Sequence, residues 1–455
     1  MHETRQLAEF AVQTEHRDLP APVVQAMKVY VLDNLAAGLV GSATPWAAMV
    51  AKLANEVSPT GPCSLFGTSQ TTTPSYAALV NGTMIGGFEC DHAFLPGSCH
   101  PSAAVFPAVM AIAQRNRLDG ATFLSASAIG YEVICRIGLA ATRSVEDKRG
   151  FHGPGTNAPF GGAIGAGKAL KLESQQMIHS LGIAGSHGAG LLEFVKEGAM
   201  TKRIHVARGA QTGLESAMLA ANGFTGPSTV LEGHRGFLQV YSPDPKPDLL
   251  LDGLGENWKL LDILVKAYPC HASFHAVIDV IWRFLQNNQV DPDQVKSVRI
   301  VGTEKMMEAR FCDKEPTSIL GAQYSLPFSV AIALLRDVGD PLSFSEATLW
   351  DPNIRSLAGM VELSTTAGLA ESTMEAPPIV VLTIADKTFT LQANDWKGAP
   401  TNPYTFSEMA EKFRRYARNF VTEADQEEVI SRVEHLEYEA NVGELMQLLG
   451  GRQSN

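Results

Sequence analysis

Between Gly87 and Val105 the chain crowds Glu89, Asp91, His92 and His100, together with Cys90 and Cys99, into a loop broken by Pro96 and Gly97. Ionisable groups at this density are costly beside apolar, small-residue runs unless they are paired. The stretch therefore points to acid/base chemistry, a metal site or a polar helix cap. Cys90, His92, Cys99 and His100 match no common structural zinc spacing. Further along, Gly150-Phe-His152-Gly-Pro-Gly155 sets a histidine on a Gly/Pro loop ahead of a helix. Gly198-Ala-Met-Thr-Lys202-Arg203-Ile-His205 joins two cations and a histidine, a combination suited to clamping an anion. Lys266 and His271 fall where the pattern of the chain changes, and such junctions favour small-molecule sites. His271 and His275 stand four apart on an expected helix, a spacing open to two metal ligands, but no glutamate follows His271. Taken together, His100, His152, Lys202, Lys266 and His271 would offer an anionic small molecule a cationic pocket.

The elements that must position these groups are mostly helical. Helices are expected over 3–19, 22–40, 46–57, 75–86, 102–115, 121–140, 156–171, 174–186 and 206–222. Cys63 to Phe66 reads as a short strand or an extended connection. Alanine and glycine are abundant through this block, so its helices are expected to pack closely and be largely buried. Gly162 to Ala169 resembles a phosphate loop, but Ala169 replaces the hydroxyl residue that would hold magnesium, and no strand precedes it; helix packing is the reading taken. Near Lys266 the character changes. Lys296 to Gly302 alternates as a half-buried strand does, and Pro378–Ile384 with Thr388–Gln392 form a hairpin around Ala-Asp-Lys. Helices are expected among them at 271–288, 325–336 and 343–347, and again at 406–419, 423–434 and 443–449. The fold class is mainly α with an α+β part. A large helical domain comes from residues 1–265 and 400–455, and a smaller α+β domain from 266–399.

Composition narrows the function. With 455 residues, two domains are expected. Charged residues make up only 18%, which suggests that much surface is buried, as in an oligomer. The net charge of −12 argues against nucleic-acid and acidic-membrane partners. No uninterrupted apolar run reaches about 18 residues and Met1–Asp18 has no apolar signal core, so no membrane partner is expected. Six scattered cysteines without a Cys-x-x-Cys pair fit free thiols and a cytoplasmic location.

Phe88–Ser102, Gly150–Gly167, Gly182–Phe194, Thr201–His205, Gly223–Tyr241, Lys266–His275 and Gln323–Leu335 resemble, in order, the blocks of the MmgE/PrpD family. Its members include 2-methylcitrate dehydratase, cis-aconitate decarboxylase and iminodisuccinate epimerase. The resemblance implies a helical domain built from both chain ends, an inserted α+β lid, an active site in the cleft between them, no metal or other cofactor, and a homodimer. It implies catalytic roles for Asp91, His100, His152, Lys202, Lys266, His271 and Tyr324. Glu89, His92 and Arg203 join Lys202 and Lys266 as expected substrate contacts. Where relatives often read Asp-Phe-Asp-Asp-Thr, this chain has Glu89-Cys90-Asp91-His92-Ala93, and Leu95 replaces a histidine common in decarboxylase-like members. The expected activity is a cofactor-independent lyase acting on a small di- or tricarboxylate, with 2-methylcitrate-type dehydration first. Decarboxylation or epimerisation in the same pocket are alternatives. A carboxylate-binding protein without turnover is the alternative from another class.

Overall fold

The structure is a computed structural model that describes residues 2–288, 290–365 and 377–450. Its chain divides into two compact units. One comprises Met1–Phe194, Ala199–Leu264 and Tyr404–Asn455, and the other Val195–Gly198 and Val265–Pro403.

The first unit is a bundle around two long apolar helices, Ala21–Ser42 and Gly120–Ala141. Each is long and apolar enough to cross a membrane, yet 83% and 94% of their apolar windows are buried within the protein. A helix that is apolar all round and covered by neighbours is a core element. Helices Pro74–Gly86, Pro101–Asn116, Gly153–Ala169 and Lys202–Ala221 pack beside this core. Close approach is built into the last pair. A Cβ at Gly213 would meet the Pro159 carbonyl at 2.4 Å, so only glycine lets these two backbones touch. That contact fixes the N-termini of both helices, which carry His152 and Lys202. The tail helices Phe406–Ala417 and Glu423–Glu434 return to the same unit, the first opened by a Thr405/Glu408 capping box.

Two expectations about helix bounds need correction here, and the open reading at Cys63–Phe66 resolves to a strand. The first helix stops at Gln13, and a separate 3-10 turn covers His16–Asp18. Cys63–Ser64 pairs with Thr71–Thr72, so the helical unit contains one small antiparallel ribbon. Gly153–Ala169 and Lys202–Ala221 begin earlier than their apolar periodicity suggests. The phosphate-loop look-alike lies wholly inside the former, buried, as the packing reading anticipates.

The second unit holds a four-stranded sheet ordered Val361–Thr365, Val295–Gly302, Ile379–Ile384, Lys387–Gln392. The first pair is parallel and the others antiparallel, with Val298 opposite both Val361 and Leu382. Val298, Ile300, Val380 and Leu382 are fully buried, while alternate residues face out. The expected hairpin turns at Ala385 and Asp386, with Ala385 at φ +50°, the hand that suits a tight hairpin. Helix His275–Asn287 lies against Ile379–Ile384 and Lys387–Gln392, where Phe284 meets Phe389 at 4.8 Å between ring centroids.

Candidate active site

Both loop histidines owe their place to proline. His100 is followed by Pro101 and His152 by Gly153-Pro154, and in each case proline opens a helix while the histidine stays extended at the N-cap. Each imidazole therefore sits at a helix N-terminus, where exposed N–H groups favour carboxylates.

His100 is paired with Asp91. Its Nδ1 lies 2.8 Å from Asp91 Oδ2 and 2.8 Å from the backbone carbonyl of His92. Two oxygen acceptors at one ring nitrogen place the proton there and leave the neutral ring's lone pair on Nε2, as a general base requires. The His100 side chain keeps 15% of its surface exposed, against 3% for Asp91. A turn holds the loop behind this pair. The Phe94 and Cys99 backbones hydrogen-bond to each other, Ser98 takes a left-handed conformation, and the Asn157 amide reaches the Ser98 carbonyl and the Cys99 thiol.

Glu89, two residues before Asp91, adopts φ +56°, a conformation that costs a non-glycine residue about 1–3 kcal/mol. The backbone aims its carboxylate at the Lys202 ammonium, and the two form a buried ion pair. Arg203, the next residue, stacks its guanidinium 3.4 Å over the Trp46 ring and donates to the Gly87 carbonyl. Arg203, an expected substrate contact, braces the loop that carries Glu89 and Asp91.

His92 also departs from expectation. Its ring is 1% exposed and turned into the bundle, with Nε2 2.9 Å from Asp33 Oδ2 and Nδ1 3.3 Å from the Tyr131 hydroxyl. With both ring nitrogens engaged inside the core, His92 shapes the loop. The physical reason is Asp33: Lys412 reaches its other oxygen at 2.5 Å, and the buried carboxylate takes both partners. Burial pushes the Asp33 carboxyl up, but the Lys412 ammonium and the His92 hydrogen bond outweigh it and hold it below its ordinary value.

His152 has a neighbour that was not among the site residues expected from the sequence. Its Nδ1 lies 3.2 Å from Nδ1 of His205, and Phe194 packs edge-on against both rings. His205 stands three residues after Lys202, on the same helical face. Burial, and then the Lys202 charge, lower its pKa. The Lys-x-x-His spacing was the available signal for including it. Asp33 and Lys412 lie far apart in sequence; Asp33 was marked only as a charge within an apolar helical run, and Lys412 is one of several charges on its helix.

In the second unit, Lys266 is 1% exposed. His271 does not share a helix with His275. It caps a 3-10 turn over Ala272–Phe274, its Nδ1 accepting the Ser273 N–H, and the helix starts at His275, so the expected i,i+4 ligand geometry is absent. The His271 and Tyr324 rings meet at 5.0 Å, and Phe311 packs against both. Gln323 fastens the two segments: its carbonyl accepts from His271 N–H and its side-chain amide donates to the Pro269 carbonyl. Among the described residues, no three His, Cys, Asp or Glu side chains converge as metal ligands do.

The structure thus gathers Glu89, Asp91, His100, His152 and Lys202 in the helical unit, and Lys266, His271 and Tyr324 in the other. A helical unit built from both chain ends, with His100 and His152 at its helix N-termini and an α+β unit inserted, defines the class. The MmgE/PrpD N-terminal domain profile matches residues 5–250 and the C-terminal domain profile residues 268–438, and the chain belongs to this family. It is similar to the cis-aconitate decarboxylase-like protein oryM of Aspergillus oryzae, with 27% identity over 98% of this chain and 97% of that protein. Human cis-aconitate decarboxylase is 28% identical over 94% of this chain and 90% of its own length. The Aspergillus terreus cis-aconitate decarboxylase is 27% identical over 73% and 71%.

Proposed function

We propose that this protein is a lyase acting on a small di- or tricarboxylate, and that it breaks a bond at a carbon next to a carboxylate. The observation that carries the reading is the His100–Asp91 dyad two residues from the Glu89–Lys202 ion pair. This puts the carboxylate that fixes the base's lone pair and the carboxylate that holds a buried cation on one loop. Negative charge developing on a substrate carboxylate would draw on Lys202. His100 and His152 exchange the proton.

Decarboxylation of an aconitate-type acid is the leading reaction, since relatives along nearly the whole chain carry that name. There the C–CO2 bond breaks, its electron pair passes into an enolate held by lysine, and an imidazolium returns a proton to carbon. Dehydration, as of 2-methylcitrate, is the second reading. It is favoured by Leu95, which stands where decarboxylase-like members carry histidine. Both share the charged intermediate and differ in the group that leaves.

A panel of cis-aconitate, 2-methylcitrate, citrate and aspartate-derived acids, followed by product analysis, tests the proposal. Turnover of one of them is expected. Tight carboxylate binding with no turnover of any would instead make the protein a small-acid binder.

A further inference from the structure

We propose that His205 is a positioning residue for His152: its Nδ1 accepts the Nδ1–H of His152 and so leaves His152 Nε2 to carry the proton exchanged with substrate. The inference rests on the reading of His152 as an acid/base group and adds the partner that sets its tautomer.

Two imidazoles joined Nδ1 to Nδ1 at 3.2 Å can share only one proton between those atoms. If His205 donates, His152 is left with its own proton on Nε2 and cannot take a second one without losing the bond. If His152 donates, its Nε2 is a lone pair in the neutral ring and an N–H donor in the imidazolium, and the bond survives both states. The surroundings favour a neutral His205, which the second arrangement needs. His205 is half-buried, and Lys202, one turn before it, disfavours a second positive charge there. A neutral His205 is an acceptor at one nitrogen. Other charges around the pair are Glu89, bound to Lys202, and Glu146, which accepts the Gly153 N–H at 3.1 Å.

The packing holds the two rings in register. Gly190, at φ +121°, leaves room for both: a Cβ there would lie 3.0 Å from His205 Nδ1 and 3.4 Å from His152 Cβ. Its carbonyl accepts the His152 backbone N–H at 3.0 Å. Phe194 closes the other side, with its ring 5.5 Å from that of His152 and 5.7 Å from that of His205. Nothing in this arrangement requires a second imidazole to fill space, whereas an acceptor at that point explains the pairing.

The test compares the full chain with His205→Asn, whose side-chain oxygen can reproduce the Nδ1 acceptor, and His205→Ala, which removes it. Ring-nitrogen NMR of 15N-histidine protein, with His152 assigned through His152→Gln, reads the tautomer without any substrate. Expected are a protonated Nδ1 on His152 in wild type and His205→Asn, and a lower His152 pKa in His205→Ala. In kinetics, His205→Ala should lose about tenfold or more in kcat, the scale of a misoriented catalytic group. Its acidic pH limb should also move, while His205→Asn stays near wild type. A proton on Nδ1 of His205, or equal behaviour of the two variants, overturns the proposal. Absence of turnover by wild type would count against the lyase reading and leave the NMR result decisive for the pair.

Discussion

Asp91 Oδ2 lies 2.8 Å from His100 Nδ1, and the same imidazole nitrogen is 2.8 Å from the carbonyl of His92. The second acceptor would keep the Nδ1 proton in place even without the carboxylate, so the carboxylate's distinct contribution is to stabilise the imidazolium. Asp91→Asn is accordingly expected to lower kcat by about a hundredfold, the scale of a general acid/base contribution, with KM little changed. Steady-state kinetics with the turned-over acid checks this. An unchanged kcat would remove Asp91 from the mechanism.

Lys202 and Glu89 are buried together, with 6% and 3% of their side chains exposed. Removing one partner strands the other, at a cost of about 3–5 kcal/mol. Lys202→Met should therefore destabilise the fold by about that amount in urea. Combining it with Glu89→Gln should recover most of the stability while turnover stays low. If the double variant regains activity as well, the lysine is structural only.

Asp33 gives the fold a pH signature. Although burial pushes its carboxyl up, Lys412 and His92 hold it below the ordinary value. A carboxyl depressed in the folded state stabilises above its unfolded pKa, and that contribution is lost as pH falls through the folded one. The window lies below about pH 4. The stability lead of wild type over Asp33→Asn is expected to be full at neutral pH and to shrink in that acid range. Urea titrations at several pH values measure it, and a pH-independent lead would contradict the assigned ion pair.

Much of this architecture is written locally. The helices Pro74–Gly86 and Gly120–Ala141 follow from apolar runs, and the hairpin Ile379–Gln392 from two β-rich runs joined by Ala-Asp-Lys. Val361–Thr365 was not anticipated, because its parallel partner Val295–Gly302 is distant in sequence and a short edge strand carries little pattern of its own. His100 and His152 could be found because proline marks their helix starts. His92 was misplaced for a different reason. Residue spacing in a loop does not say which way a side chain points, and the partners that draw it inward, Asp33 and Tyr131, come from two other helices. Glycine and proline near Gly153 hid the helix start, and with it the proximity of His205.

The central claim is that His100 and His152 pass a proton to and from a carbon beside a substrate carboxylate. The most direct measurement runs the turned-over acid in D2O, in the direction that delivers a proton to carbon, and locates deuterium in the product by NMR. The account predicts one solvent deuterium at that carbon with wild-type protein. It also predicts rates lowered at least about a hundredfold in His100→Gln and His152→Gln, as loss of an acid/base group implies. Product formed without solvent deuterium, or formed at the wild-type rate by both variants, would contradict it.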